Sequence, residues 1–493
     1  MSCATGLFGS EFSREEIART KAAQGLLSME LEVGTLCNFA CRYCYVGDDH
    51  ACLPGERDEL TLPEMRDAVE QAQALGARKI ILLGGEPMLY EFTLAFCEWM
   101  RGRGLTVELF TNGSNMTPGA AATLFGLGVH VVLKWHSADA AIQDWLAGLP
   151  GASAIMETAR RNLLAAGYPA NTARLGQSTV ICRQNLAELP GQWRRLRAAG
   201  IEPYYEMITP QGRARDDLNR LSPSMREVRQ LFETIQAIDR ESFGRVWEAQ
   251  PPLVGNACLR HAYSCLVSAT GDVKPCVGVT LPVGNIRRQP LARILADSEV
   301  IADLRNHAQT IQGVCGTCEK AAGCYGCRGA AYQLTGNYLG SDPLCWRHRE
   351  ADDCAALPIA AERLVPHQPP ARLIEALAAV GERSATVTAR VPADSPHCRG
   401  GRLVESAHLE LMAQAAAALH GYRTQMRPGG RRADGMLVGA RGLEVLAPIH
   451  PGEALTISLR KETRLGAFGV LTTEIHRDGA LVSRAELKTW HAE

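Results

Sequence analysis

Three cysteines stand at CxxxCxxC spacing in Cys37-Asn-Phe-Ala-Cys41-Arg-Tyr-Cys44, just after the strand-like run 29–33. Thiolates this close in sequence read as metal ligands, and a closed zinc knuckle or 4Fe-4S cluster normally takes four of them. A cluster held by three keeps one iron open to a ligand that is not protein, which is a handle for chemistry. A structural zinc site and a ferredoxin-like cluster are the other readings of the spacing. Further along, Gly84-Gly85-Glu86-Pro87 follows the apolar run 80–83. Its two glycines let backbone approach a ligand with no side chain between, and Glu86 offers a carboxylate. Either motif alone is ambiguous; in this order, each after a strand-like run, they point to one site.

Together they resemble the signature of radical S-adenosylmethionine (SAM) enzymes. The resemblance implies that Cys37, Cys41 and Cys44 hold a 4Fe-4S cluster whose open iron chelates SAM through its amino and carboxylate groups. The reduced cluster would cleave SAM to a 5'-deoxyadenosyl radical, and that radical would abstract a substrate hydrogen. It further implies that Tyr43 packs against adenine and that Gly84, Gly85, Glu86 and Pro87 receive the methionine ammonium. Thr111 and Ser137 become candidates for contacts to the ribose or methionine of SAM, and Met207 with Ile208 for a wall near the adenine. His136, one residue before Ser137, faces away from the cofactor by alternation and reads as a structural histidine. A low-potential electron donor, flavodoxin or ferredoxin, is an implied partner.

Eight more cysteines, Cys258, Cys265, Cys276, Cys315, Cys318, Cys324, Cys327 and Cys345, follow the proline-marked stretch 250–252. They suffice for two four-thiolate clusters, with paired zinc ribbons as the alternative. The pattern resembles the SPASM extension of radical SAM enzymes, Gly271 to Cys276 supplying its Gly-x4-Cys; Cys324 and Cys327 are separated by two residues where that family usually has three. The family's interleaved ligation puts Cys258, Cys265, Cys276 and Cys327 on one auxiliary 4Fe-4S cluster. It puts Cys315, Cys318, Cys324 and Cys345 on the other. Fully ligated clusters serve electron transfer or structure. The scattered Cys3, Cys52, Cys97, Cys182, Cys354 and Cys398 carry no assigned chemistry.

With 52 basic against 53 acidic residues the chain offers no basic face for nucleic acid. No apolar run reaches the roughly 18 residues that cross a bilayer, and the N-terminus lacks a basic, then apolar leader. The expectation is a cytoplasmic protein without a membrane partner, in which the eleven cysteines of the two ordered sets, out of 17, read as ligands rather than disulfides. At 493 residues the chain is too long for one core. The expected organisation is an N-terminal segment 1–27, a barrel 28–245, a cysteine-rich extension 246–356, a linker 357–371 and a last domain 372–493.

These motifs need elements that bring them together. From residue 28 to about 240, β-rich runs alternate with helical stretches, predicting strands at 29–33, 79–83, 106–110, 129–135, 177–182 and 203–208. The fold class is α/β: a partial (β/α)6 TIM-like barrel as in the resembled family, a Cys-rich SPASM extension and a C-terminal α+β domain. Barrel sites gather at the C-terminal ends of strands, where the cluster cysteines, 84–87, 111–113, 134–137 and 206–209 all fall.

Past residue 360 the texture changes. Alternating apolar and polar residues predict strands at 384–391, 454–461 and 469–475, with a hairpin turn at 477–479 and one mostly apolar helix at 407–420. One helix wrapped by a long antiparallel sheet is a hotdog. Leu364-Val365-Pro366-His367 and His408-Leu409-Glu410-Leu411-Met412-Ala413-Gln414-Ala415 resemble hotdog dehydratases acting on 3-hydroxyacyl chains of an acyl carrier protein. The resemblance gives Glu410 the helix carboxylate's place. His397 stands as candidate base in a segment, His397-Cys-Arg-Gly-Gly, that replaces the family's Gly-His-Phe-Pro, and His367 is the second choice. It also implies a homodimer through the hotdog domain and an acyl carrier protein as partner.

The function expected from all this is radical SAM tailoring of an acyl, polyketide-like or aryl substrate, carrier-bound or free, with auxiliary clusters moving electrons. Peptide maturation of the SPASM type is one alternative; only about 30 residues precede the barrel, too few for the peptide-recognition domain many maturases carry. A hotdog dehydratase with structural clusters is the other.

Overall fold

A computed structural model describes residues 12–46, 58–347, 357–380, 384–425, 435–465 and 468–491. Cys3, Cys52 and Cys354 lie outside the described residues. Contacts divide the chain into two compact units, Met1–Cys345 and Trp346–Glu493.

The first unit is built on six parallel strands, β1 (Ser28–Glu32), β2 (Lys79–Leu83), β3 (Thr106–Thr111), β4 (His130–Lys134), β5 (Leu175–Ile181) and β6 (Glu202–Met207). Each pairs in parallel with its predecessor, so the sheet runs in chain order. Helices cover the crossovers, and they begin where the sequence supplies caps. Thr61 closes a capping box with Glu64 before Leu62–Ala74, and Thr117 caps Pro118–Leu127. Burial of whole strands, as in β5, is what a sheet covered by crossover helices requires.

The sheet does not stop at six. A seventh strand, β7 (Ser264–Val267), comes from the cysteine-rich region and pairs in parallel with the outer edge of β1, Ser28 facing Ser264 and Leu31 facing Val267. Two short antiparallel strands, β8 (Asp272–Lys274) and β9 (Gly284–Asn285), extend it. The six-strand expectation missed β7 because Ser-Cys-Leu-Val is short and sits among metal-spaced cysteines, which mask its period.

The second unit is a seven-stranded antiparallel sheet around one helix, Ser406–Gln425. Its strands are β10 (Ile359–Ala360), β11 (Ile374–Val380), β12 (Ser384–Arg390), β15 (Gly435–Val445), β16 (Ala454–Leu465), β17 (Phe468–Arg477) and β18 (Ala480–His491), in the order β10-β11-β12-β16-β17-β18-β15. A separate ribbon of β13 (Cys398–Arg399) and β14 (Arg402–Leu403) precedes the helix. Inward residues of β12 and β17 alternate with outward ones, and Leu411, Met412, Ala415 and Ala418 of the helix are buried against Val387, Ile457, Ile475 and Leu487. Asp478 and Gly479, at φ 50° and 82°, make the two-residue hairpin between β17 and β18.

No helix among the described residues is long and apolar enough to cross a membrane. Because Leu411 is fully buried on the central helix, Leu411→Ala should destabilise the second unit by about 2–5 kcal/mol. Hydrogen exchange of the 406–425 amides reads this out; unchanged protection would show that the helix is not the centre of that core.

Candidate functional site

The loop carrying Cys37, Cys41 and Cys44 leaves β1 and is held from two sides by backbone. On one side Gly85 N donates to Gly34 O (2.8 Å) and Glu86 N to Leu36 O (2.7 Å). This contact is so close that a Cβ on Gly85 would lie 2.1 Å from Leu36 O. The glycine therefore admits the cysteine loop itself, which is a different use from ligand approach. On the other side Ala40 N donates to Ala147 O (3.2 Å) and Arg42 N to Leu146 O (3.0 Å), where a Cβ on Gly148 would meet Ala40 O at 2.1 Å.

Side chains finish the strap. Glu59 accepts from Thr35 N (2.6 Å) and Tyr90 OH (3.2 Å), and Tyr90 OH in turn accepts from Leu36 N (2.9 Å). Arg42 lies over the Trp145 ring at 4.5 Å and pairs with Asp217 at 3.0 Å. Sequence reasoning singled out none of Glu59, Tyr90 or Arg42, since their roles arise from contacts far along the chain. Burial pushes the Cys37 and Cys41 thiols up to about 12, so binding of a cationic metal there releases protons.

Glu86 is buried at the end of β2. Its carboxylate accepts from Thr111 Oγ1 (2.7 Å), Met88 N (2.9 Å) and Asn112 N (2.6 Å). Burial outweighs these bonds and pushes its pKa up to about 7. Tyr43 packs on His136, ring centroids 4.2 Å apart. His136 itself does not border the cavity; it is a buried, hydrogen-bonded histidine that backs Tyr43. Its Nδ1 accepts from Val180 N (3.0 Å), and burial holds its pKa well below the ordinary value. Ser137 is buried too, and its Oγ accepts from Asp139 N (3.0 Å).

A cavity of about 250 Å3 runs into the barrel from this loop. Cys37, Cys41, Cys44, Tyr43, Glu86 and Thr111 border it, and so do Gly84, Gly85, Lys134 and Met207; Ser137 and Ile208 do not. Cys258, Cys276 and Cys327, three of the eight later cysteines, border the same cavity. Deeper charges are paired, Lys79 with Glu108 (2.7 Å) and Arg260 with Glu30.

The later cysteines fall into two electrostatic groups. Cys258, Cys276 and Cys327 act on one another, and Cys315, Cys318 and Cys324 do likewise. Cys265 is buried in β7, and Cys345 is buried as well. Backbone N–H groups already point at their sulfurs: Val279 at Cys276 (3.4 Å), Ala330 at Cys327, Gly326 at Cys324 and Asp342 at Cys315 (each 3.3 Å). Tyr325 OH donates to Cys258 Sγ at 3.3 Å. Sulfur ligands supported by such donors are a donor set that fits iron–sulfur clusters.

In the second unit Glu410 Oε1 lies 3.6 Å from His367 Nε2 and accepts from Gln414 Nε2 (2.8 Å). Gln414 also bonds Ala371 O and Leu373 N, tying the helix to the segment after His367. His397 sits in the turn before β13, with its N on Ser395 Oγ and its carbonyl accepting from Val404 N. His408, not singled out from the sequence, is buried with Nδ1 3.0 Å from Ser483 Oγ.

Known proteins share these features. The sequence pattern of the radical SAM superfamily matches residues 31–189, that of the SPASM iron-sulfur cluster-binding domain residues 258–319, and that of ApeP dehydratase residues 359–493. PqqA peptide cyclase of Xanthomonas campestris pv. campestris is 30% identical over 346 residues, 65% of this chain and 87% of the relative. The chain belongs to the radical SAM superfamily. AdoMet-dependent heme synthase of Methanosarcina barkeri is 28% identical over 356 residues, 67% of this chain and 98% of that protein. The crystal structure of Streptococcus suis SuiB bound to S-adenosylmethionine shares the fold, with a TM-score of 0.50 at 15% identity over 67% of this chain and 80% of SuiB. Membership makes the chain an enzyme whose cofactors are 4Fe-4S clusters and SAM, with an ApeP-like hotdog domain appended.

Since a methyl group on residue 85 would collide with Leu36 O, Gly85→Ala should displace the cysteine loop. The expected outcome is loss of the SAM-sensitive electron paramagnetic resonance (EPR) signal while the auxiliary cysteines keep their iron. A wild-type signal would mean the loop tolerates a shift.

Proposed function

We propose that the first unit cleaves SAM reductively and abstracts a hydrogen from an acyl, polyketide-like or aryl substrate, presented on an acyl carrier protein that the hotdog domain recognises. The observation that carries this reading is the cavity bordered at once by Cys37, Cys41 and Cys44 and by Cys258, Cys276 and Cys327. A substrate there lies between the site of hydrogen removal and an electron acceptor. The match of residues 359–493 to ApeP dehydratase supports the acyl class. A peptide substrate is the second reading, favoured by the identity to PqqA peptide cyclase.

Bound together, the first cluster and SAM supply a 5'-deoxyadenosyl radical. The chain's own residues hold and orient. Cys37, Cys41 and Cys44 ligate, Tyr43 backed by His136 presents a face to adenine, and Glu86, braced by Thr111, takes the methionine ammonium between Gly84, Gly85 and Pro87. Ser137, occupied by Asp139 N, acts through the shape of its loop. The two sets of four later cysteines, in the interleaved order, ligate two auxiliary clusters, and flavodoxin or ferredoxin donates the electron.

In the hotdog domain Glu410 serves a dehydratase activity with His367 or His397 as base. The edge strand β15, whose Met436 and Val438 are exposed, is where a second copy would join the sheet.

Anaerobic incubation with SAM and dithionite tests the radical reading through release of 5'-deoxyadenosine. Cys41→Ala should abolish release while iron remains at the auxiliary sites, and Glu410→Gln should leave release intact. Full iron loading without release would favour a dehydratase whose clusters are structural.

Glu86 adds a pH dependence. With its pKa raised to about 7, the neutral form's contribution to stability is complete below the ordinary 4.5 and is lost as pH rises through about 7. SAM requires the ionised form, so its affinity should fall by about tenfold per pH unit below 7. Calorimetric titration reads this; a flat profile would remove Glu86 from the ammonium site.

A further inference from the structure

Arg328 is 1% exposed, so a permanent positive charge sits in the interior. Its Nη1 donates to the carbonyls of Tyr338 (3.1 Å) and Gly340, while Nε and Nη2 have no hydrogen-bond acceptor among the described residues. A buried guanidinium with unmade hydrogen bonds is costly unless an anion meets it. The carboxylate of Asp342 lies on the same side of Gly326 as Arg328 Nη2, but it accepts from Cys327 N (2.7 Å) and Leu344 N (2.9 Å) and makes no hydrogen bond to Nη2. The nearby imidazoles add no charge. Burial, then Arg260 and Arg328, hold His261 down to about 3, and burial lowers His307.

Its neighbourhood in the chain and in the cavity wall is rich in cysteine. Arg328 follows Cys327 in the chain, its charge acts on Cys315, and it borders the cavity with Cys258 and Cys276. It therefore stands where the two groups of cysteines approach each other. Resting on the assignment of those cysteines to two auxiliary clusters, we propose that Arg328 is a positioning residue whose free Nε–H and Nη2–H serve the sulfur of these clusters and set their reduction potentials. A cluster that gains an electron becomes more anionic. A fixed cation in a low-dielectric surround favours that form and raises the potential, against the lowering that burial imposes.

This role separates Arg328 from a merely structural residue, because a brace would move stability and not potential. The test uses holoenzyme reconstituted without oxygen. Iron analysis and EPR of the wild type come first; absence of auxiliary signals there would overturn the cluster assignment and the role of Arg328 together. Arg328→Met and Arg328→Lys are then compared by EPR-monitored redox titration, the SAM-binding cluster being set aside by its response to SAM. Arg328→Met should move the auxiliary midpoints to more negative potential, and Arg328→Lys should restore most of the shift. Unchanged midpoints in Arg328→Met at wild-type iron content would overturn the role of Arg328 alone. Independent of how any variant folds, wild-type protein with 15N-labelled arginine should show guanidinium nitrogen coupling to a reduced auxiliary cluster in pulsed EPR. Absence of that coupling would overturn the proposal.

Discussion

Two backbone clamps on one loop determine whether this site exists. The segment from Gly34 to Cys44 has no secondary structure of its own to fix three thiols in space, and its order comes from hydrogen bonds to the loop after β2 and to the end of the helix Ala140–Ala147. Both contacts are main chain to main chain, and both are close enough to exclude a side chain at the opposing glycine. Loop entropy favours a mobile segment, so the contacts must be short and numerous to prevail. Glu86 takes part twice, its N–H on the cysteine loop and its carboxylate gathering Thr111 and Asn112. Position of the metal ligands and polarity of the cosubstrate site are thus set by the same residue.

The cavity gives this arrangement its direction. Three thiols of the first set and three of the later ones border it together, along with aromatic side chains and the Arg260–Glu30 pair. A substrate radical formed beside the first set would meet an electron acceptor at the later one, which suits a reaction with a net oxidation. That reading belongs to the proposed function and gains weight from the sulfur ligands being pre-satisfied by backbone donors.

Much of the cavity's lining was legible in the sequence because thiol chemistry is spacing-coded: Cys37, Cys41, Cys44, Tyr43, Gly84 to Glu86 and Thr111, all singled out by motif, border it, and strand 79–83 was read at its observed limits. Within the Cys324 to Cys327 segment, one residue shorter than the usual pattern, Tyr325 turns its hydroxyl onto Cys258. Three things were not legible. The close approach at Gly85 depends on a loop fifty residues earlier, the packing of His136 on Tyr43 joins two loops distant in the chain, and β7 hides its pairing with β1 inside a run of metal-spaced cysteines. Each is a tertiary contact with no local periodicity. In the hotdog unit the helix and the alternating strands were readable, while the approach of His367 to Glu410 required knowing how the segment before β11 crosses the helix.

The pairing of β7 with β1 bears on how such enzymes can be recombined. Cys265 rides on a strand whose hydrogen bonds go to the strand that launches the first cysteine loop. Splicing the auxiliary region of another enzyme onto this chain near residue 250 would ask a foreign strand to satisfy the open backbone edge of β1, register by register. Chimeras joined after residue 345 make no such demand on that sheet, since the strands of the second unit form a sheet of their own. Module exchange in this architecture is therefore easiest at the hotdog and hardest within the iron–sulfur part.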